Sequence, residues 1–263
     1  MYETFLTQDG SIGLYNKELD EIYHSKFGAK KEAYEKFIEP VLMVAKPKIL
    51  DICYGIGYNT KTAIQYLKNI EYIDCIEIDE KLAKESFKYS FDEKINKIIE
   101  NNLKNPDFIH FYFDDARKIL PLLNKKYNII FHDGFAPYKQ PELWSEDFIF
   151  AISKLIEYDG IYVTYNHSKP ILNALLKAGF TVGKTIKNEK TIATIASFNP
   201  DLIKNPLDDF EIETLKTKSA ITYKDKNLSH TSEEILNYRN EEVKNSTLKT
   251  LSSLLKNKKT TSF

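Results

Sequence analysis

Asp133-Gly134-Phe135-Ala136-Pro137 places an acid, a glycine turn, an aromatic ring and a proline within one short stretch, and Tyr138-Lys139-Gln140-Pro141-Glu142-Leu143-Trp144 follows it. A plain turn would use the same glycine and proline. The weight therefore falls on what comes before: Tyr127 to Phe131 is an apolar run with the length and composition of a buried strand, so Asp133 emerges where that strand ends. In open α/β sheets this edge is where ligands sit. Asp133 is the candidate catalytic group, a carboxylate able to orient a substrate and relay a proton. Phe135 and Pro137 are candidates for substrate contact, with core packing the equal rival for Phe135.

Three more acids and two glycines stand at strand ends. Ile49-Leu50-Asp51-Ile52-Cys53-Tyr54-Gly55-Ile56-Gly57-Tyr58-Asn59 reads as a strand, a glycine turn and the start of a helix. Glycines serve such a turn because a Cβ would block a ligand from the backbone. Asp51, Gly55 and Gly57 are the cofactor candidates of this segment, although two glycines at this spacing fit a structural turn equally well. Cys53 occupies a place where nucleotide-binding folds commonly have another glycine. Glu77 lies about 20 residues past Gly57 at the end of a second strand, where a carboxylate can accept both hydroxyls of an adenosine ribose. Asp79 competes for that role but is expected to cap the helix from Lys81. In Phe113-Asp114-Asp115-Ala116, Asp115 is suited to an adenine amino group or, alternatively, to capping the next helix. A ribose acid also serves NAD enzymes, so an oxidoreductase is a rival. Against it, the third glycine of a pyrophosphate-binding turn is missing, since Tyr58-Asn59-Thr60 stands there.

These positions need a scaffold. From Lys48 to Phe198, β-type runs beginning near Ile49, Tyr72, Phe108, Tyr127, Ile161, Phe180 and Thr191 alternate with helical segments after Gly57, Glu80, Asp115, Ser145 and Ser168. The link at Lys187 to Lys190 is too short for a crossover helix, so the last two strands are expected to pair as an antiparallel hairpin. Seven strands ending in such a hairpin resemble the Rossmann-like α/β core of class I methyltransferases dependent on S-adenosyl-L-methionine (SAM). Residues 1–46 read as an extension, a hairpin around Asp9-Gly10 and then a helix from about Ala29 to Val44. Residues 47–198 form the core, and residues 199–263 a polar C-terminal extension, with a helix-like stretch at Ser232 to Val243 and disorder expected from Lys256.

Composition sets outer bounds. The 263 residues suffice for a full core, and formal net charge is −1, so no whole-molecule field announces a polyanion partner. No run approaches a membrane span and the first residues lack a signal-peptide pattern, so a cytoplasmic protein is expected. Cys53 and Cys75, both in apolar strand-like runs, supply neither a disulfide framework nor a metal-ligand spacing, so no metal is expected.

If a methyl group is transferred, the nucleophile has three classes. Pyrimidine carbon commonly calls for a catalytic cysteine, yet Cys53 and Cys75 lie away from the fourth strand. Adenine amino methylation typically uses an Asn or Asp, two prolines and an aromatic in sequence, which the Asp133 loop matches only in part. An alkylamine needs less: at pH 7 it lies about 3.4 units from its neutral form, roughly 4.6 kcal/mol, and a carboxylate such as Asp133 can orient it and pass on its proton.

The Asp133-to-Pro137 stretch with Pro141-Glu142-Leu143-Trp144 behind it resembles the methyltransferase half of the MnmC family, which completes 5-methylaminomethyl-2-thiouridine at the tRNA wobble position. Thr7-Gln8-Asp9-Gly10-Ser11, Glu18 to Ser25, Gly28-Ala29 and Ala178-Gly179-Phe180-Thr181-Val182 are similar to the same family, so the likeness covers most of residues 4 to 198. It implies SAM as cofactor, tRNA as partner and methylation of an aminomethyl nitrogen. MnmC often carries an FAD-dependent oxidase half as well; the chain lacks the length for one and is expected to be a stand-alone form supplied with its amine. It also departs from the family in having lysines but no arginine from Lys184 to Lys190. Tyr23 and His24 are candidates for the substrate mouth and Lys139, with Lys184, Lys187 and Lys190, for phosphate contact, against packing and a solvated lysine face. Two rival functions are a polyamine-directed methyl- or aminopropyltransferase and a non-catalytic RNA-binding module.

Overall fold

A computed structural model describes residues 2–18, 20–23, 26–89 and 91–260. An N-terminal antiparallel sheet comprises β1 (Tyr2–Leu6), β2 (Ile12–Asn16) and the two-residue β3 (Glu21–Ile22). The core sheet comprises β4 (Lys48–Ile52), β5 (Tyr72–Glu77), β6 (Ile109–Phe113), β7 (Tyr127–His132), β8 (Ile156–Thr164), β9 (Thr181–Lys187) and β10 (Lys190–Ser197). Its order is β6-β5-β4-β7-β8-β10-β9. Every pairing is parallel except the two made by β10, which runs antiparallel to β8 and β9. The expected terminal hairpin is therefore present, turned by Asn188 and Glu189, both with positive φ. The order reverses between β4 and β7, and the crevice at that switch point holds the Asp133 loop and the glycine turn together.

Helices α1 (Ala29–Glu32), α2 (Tyr58–Tyr66), α3 (Glu80–Lys84), α4 (Glu93–Lys104), α5 (Ala116–Ile119), α6 (Glu146–Ser153) and α7 (Lys169–Lys177) cover the sheet. Side chains alternate across a strand, and both faces here are buried. On one face Ile49, Ile73, Ile109, Ile129 and Phe131 pack with Ala63 and Leu67 of the α2 region, Ala83, Ile99, Phe37 and Val41. On the other, Leu50, Ile52, Ile76 and Ile130 pack with Leu120, Phe148, Ile149, Ile152, Ile171 and Leu175.

Two regions differ from the sequence reading. The helix expected over Ala29 to Val44 is regular only through α1; a π-helical stretch, Ala33–Ile38, and a 3-10 turn, Glu39–Val41, follow. Pro40 has no N–H to give to a helix, and the wider turn lets Ala33, Phe37, Ile38 and Val41 all reach the core. The C-terminal segment is structured over α8 (Asp209–Thr214), α9 (Ser232–Asn245) and α10 (Leu251–Thr260). Lys256 to Thr260, expected to be disordered, thus continue α10; Thr261 to Phe263 lie outside the described residues. Leu215, Ala220, Tyr223 and Ile235 of this segment are buried in the main core.

Candidate active site

At the C-terminal ends of β4, β5, β6 and β7 lies a cleft of about 440 Å³, roofed by the N-terminal sheet. The glycine turn forms its floor. Cys53 leaves β4 at φ 68, in the left-handed region, so the cysteine adopts the conformation usually left to glycine. Gly55 has φ +57 and lines the cleft, and a Cβ there would lie 3.2 Å from the Tyr23 ring. Gly57 lies off the wall: it is the left-handed residue that opens α2, with Tyr54 Oη 2.3 Å from where its Cβ would be.

Glu77 stands at the end of β5 with only its carboxylate end near the cleft, 7% exposed. Its Oε2 accepts from Gly55 N–H at 2.7 Å and its Oε1 from Asp79 N–H at 2.9 Å. One bond on each oxygen fixes the group and leaves acceptor directions on both. Burial pushes its pKa up, against the pull of those two N–H bonds. Asp79 caps α3 through Leu82 N–H, as its position suggested, and its other oxygen accepts from Tyr2 Oη at 2.5 Å. Asp115 joins the cleft wall and also caps α5, taking Arg117 N–H at 2.9 Å.

Asp133 is half-buried on the opposite wall. Its Oδ2 accepts from Asn59 Nδ2 at 2.8 Å, and its backbone N–H donates to Ile52 O at 3.2 Å. Desolvation, and next the Glu32 carboxylate, push its pKa from 3.8 up to about 7, while the Asn59 bond pulls the other way. The loop behind it is held rigidly. Trp144 Nε1 donates to Phe135 O at 2.6 Å, Tyr165 Oη to Gly134 O at 2.9 Å, and Phe135 N–H to Gln140 Oε1 at 3.2 Å. Trp144 in turn stacks on His132 at 4.2 Å, a ring kept neutral by burial, which lowers its pKa to about 3. A Cβ at Gly134 would come 2.9 Å from Leu143 Cδ1, so a larger residue there would make that leucine side chain shift.

The sequence candidates separate cleanly. Gly55, Glu77, Asp115, Asp133, Phe135 and Tyr23 share the cleft. Phe135 meets the Tyr23 ring edge-on at 4.8 Å, and Tyr23 meets Tyr2 at 5.8 Å, so aromatic rings close the side nearest the N-terminal sheet. Asp51, expected to touch cofactor, does not reach the wall. It is wholly buried beneath the turn, accepts from Thr60 Oγ1 at 2.6 Å, and burial raises its pKa to about 7. Pro137 and Lys139 also lie off the wall, and Lys139 sets its ammonium over the Tyr138 ring. Lys184 is paired with Glu211 and Lys187 with Glu35, so neither presents a free charge. His24 lies outside the described residues.

Four wall acids were given no role by the sequence reading: Asp114, beside Asp115, Glu21 on β3, Glu32 on α1 and Glu142 after the Asp133 loop. They come from segments far apart in the chain, and no spacing rule connects them. Asn59, the second residue of α2, was not singled out in the sequence, where it was noted only as standing in place of a third glycine. Among the described residues lining the cleft there are eight carboxylates, and no lysine, arginine or histidine. The glycine turn, the acceptor pair on Glu77 and the run of wall acids fit a nucleoside whose ribose hydroxyls donate to Glu77 and whose remainder is cationic; three of the acids, Glu32, Asp114 and Asp115, are already paired with Lys36, Lys118 and Arg117, which lie outside the wall.

A family model for S-adenosyl-L-methionine-dependent methyltransferases matches residues 78–197. The uncharacterized protein MJ0670 of Methanocaldococcus jannaschii is 33% identical over 252 residues, covering 89% of this chain and 70% of that protein. The tRNA 5-methylaminomethyl-2-thiouridine biosynthesis bifunctional protein MnmC of Campylobacter hominis is 27% identical over 193 residues; the match takes in 65% of this chain but only 29% of that longer protein. The crystal structure of MNMC2 from Aquifex aeolicus superposes with a TM-score of 0.81 at 31% identity, covering 94% of this chain and 86% of the other. No helix among the described residues is long and apolar enough to cross a membrane.

Proposed function

Since the chain belongs to the family of S-adenosyl-L-methionine-dependent methyltransferases that includes MNMC2 from Aquifex aeolicus, we propose that it methylates the primary amine of a 5-aminomethyl uridine at the wobble position of tRNA. Bound SAM supplies an electrophilic methyl group on a positively charged sulfur. The chain's own residues do the rest. Gly55 and Glu77 hold the ribose, and Asp115 faces the adenine. Asp133 holds the substrate ammonium, takes up its proton at Oδ1 or hands it to water, and keeps the freed nitrogen aimed along the cleft. Phe135 and Tyr23 give the flat base an aromatic wall.

The observation that carries this reading is the acid-lined, cation-free cleft with Asp133 fixed by Asn59 on one wall and Glu77 on the other. Such a cleft attracts an ammonium and disfavours a phosphate, so an extruded nucleotide carrying a positive arm would enter by that arm. The acidic lining also suits a free polyamine, which makes the choice experimental. Purified protein is incubated with methyl-labelled SAM and either tRNA bearing 5-aminomethyluridine or spermidine. Label is expected in the modified uridine on nuclease digestion and mass spectrometry. Label in spermidine with none in the RNA would overturn the tRNA reading.

A further inference from the structure

Asp115 is set by a part of the chain more than a hundred residues away. Arg117 Nη2 donates to Asp115 Oδ2 at 2.7 Å and Nε to the same oxygen at 3.0 Å. From the other side of the guanidinium, Nη1 donates to Asp225 Oδ2 at 3.0 Å and to His230 O at 2.8 Å. Asp225 is wholly buried and fixed in its own right: Oδ1 accepts from the N–H groups of Ser229 at 2.9 Å and His230 at 2.8 Å, and its N–H donates to Asp147 Oδ2 at 2.8 Å. A planar guanidinium carries its donors in a rigid fork, so fixing the Asp225 end fixes the Asp115 end. The same stretch holds a second wall acid, since Ser232 Oγ donates to Glu142 Oε2 at 2.8 Å.

We propose that Asp225 and Arg117 are positioning residues that aim the Asp115 carboxylate at the adenine amino group, making the C-terminal segment part of the cofactor site. This rests on the placement of adenine at Asp115 and is independent of which amine is methylated. Left without the fork, Asp115 would still cap α5 through Oδ1 but would be free to rotate, losing the direction that tells an amino group from a carbonyl.

The test compares full-length wild type with Asp225→Asn by calorimetry, titrating S-adenosylhomocysteine and S-inosylhomocysteine, which replaces the adenine amino group by an oxo group. Wild type is expected to prefer the adenosine form. In Asp225→Asn that affinity should fall about tenfold with little change for the inosine form, so that the preference collapses. Equal weakening of both ligands, or an unchanged preference, would reduce Asp225 to a structural role and overturn the proposal. Arg117→Lys keeps a positive charge between the two acids and loses the fork; it should show the same collapse, and it decides the matter if Asp225→Asn does not fold. Wild type binding both forms equally would overturn the adenine placement itself, and the proposal with it, while leaving the amine reading untouched.

Discussion

Asp133 is useful because it is a poor carboxylate. An ammonium with an ordinary pKa near 10.4 would pass its proton to a carboxylate at 3.8 at a cost of about 9 kcal/mol; with the acceptor at about 7 the cost falls to about 5 kcal/mol. Burial therefore does half the work of deprotonation before any cofactor charge is counted. The sign of the pH dependence follows. Asp133 must be ionised to accept, so kcat/KM should rise with pH through about 7 and level off above it. Asp133→Asn keeps the shape and the reach to Asn59 but cannot take a proton, and should lower kcat by about 10²–10⁴-fold with SAM affinity nearly unchanged. Stopped-time methylation assays across pH 5.5 to 9 and calorimetry check both halves. A flat profile, or equal loss of turnover and cofactor binding, would move Asp133 out of the proton path.

The strand-to-helix element that carries Cys53, Gly55 and Gly57 shows how much of the site could be read in advance. The order of strands was legible because apolar runs of strand length recur between capped helices, and the ends of those strands collected Glu77, Asp115 and Asp133 in one place. Asp51 was misjudged because it lies inside β4 rather than after it: its side chain shares the face of Ile49 and points under α2, not into the crevice. The π-helical stretch was not legible, because its wider period mimics an ordinary amphipathic helix over six residues. The C-terminal segment hid for another reason. Its buried apolar residues, Ile203, Leu215, Ala220, Ile221, Tyr223, Ile235 and Leu254, follow no regular spacing in a polar background. At the turn itself the prediction is quantitative. Cys53 at φ 68 bears the left-handed penalty of about 1–2 kcal/mol, which Cys53→Gly would relieve while losing the thiol's packing and some unfolded-state entropy. The net change in urea unfolding should stay within about 1 kcal/mol. Cys53→Val, with a β-branched side chain forced into the same conformation, should destabilise by about 2 kcal/mol or more. If valine proved harmless, the left-handed geometry would be wrong.

Across the whole molecule, the C-terminal segment finishes the sheet as well as the site. The outer strand β9 would otherwise present a free edge, and such edges recruit other chains. Here the segment lies along it: Lys184 N–H donates to Asn205 O at 2.9 Å and Leu207 N–H to Val182 O at 3.0 Å. Gly183 is a glycine because a Cβ would sit 2.3 Å from Ile203 and 2.6 Å from the Asn205 carbonyl. Farther on, Leu215, Ala220, Tyr223 and Ile235 fill the face that α6 and α7 leave open. These ties predict unequal outcomes for two truncations. A chain ending at Phe198 keeps every core strand yet exposes β9 and the apolar surface beneath residues 203–235, so it should aggregate on size-exclusion chromatography. A chain ending at Ser246 loses α10, among whose described side chains Leu254 is the buried one, and should remain monodisperse with a loss of about 1.5–3 kcal/mol in urea unfolding. A soluble, cooperatively folding chain ending at Phe198 would mean that the segment only decorates a self-sufficient core, and the dependence of Asp115 on Asp225 would then have to be argued without the sheet edge that anchors it.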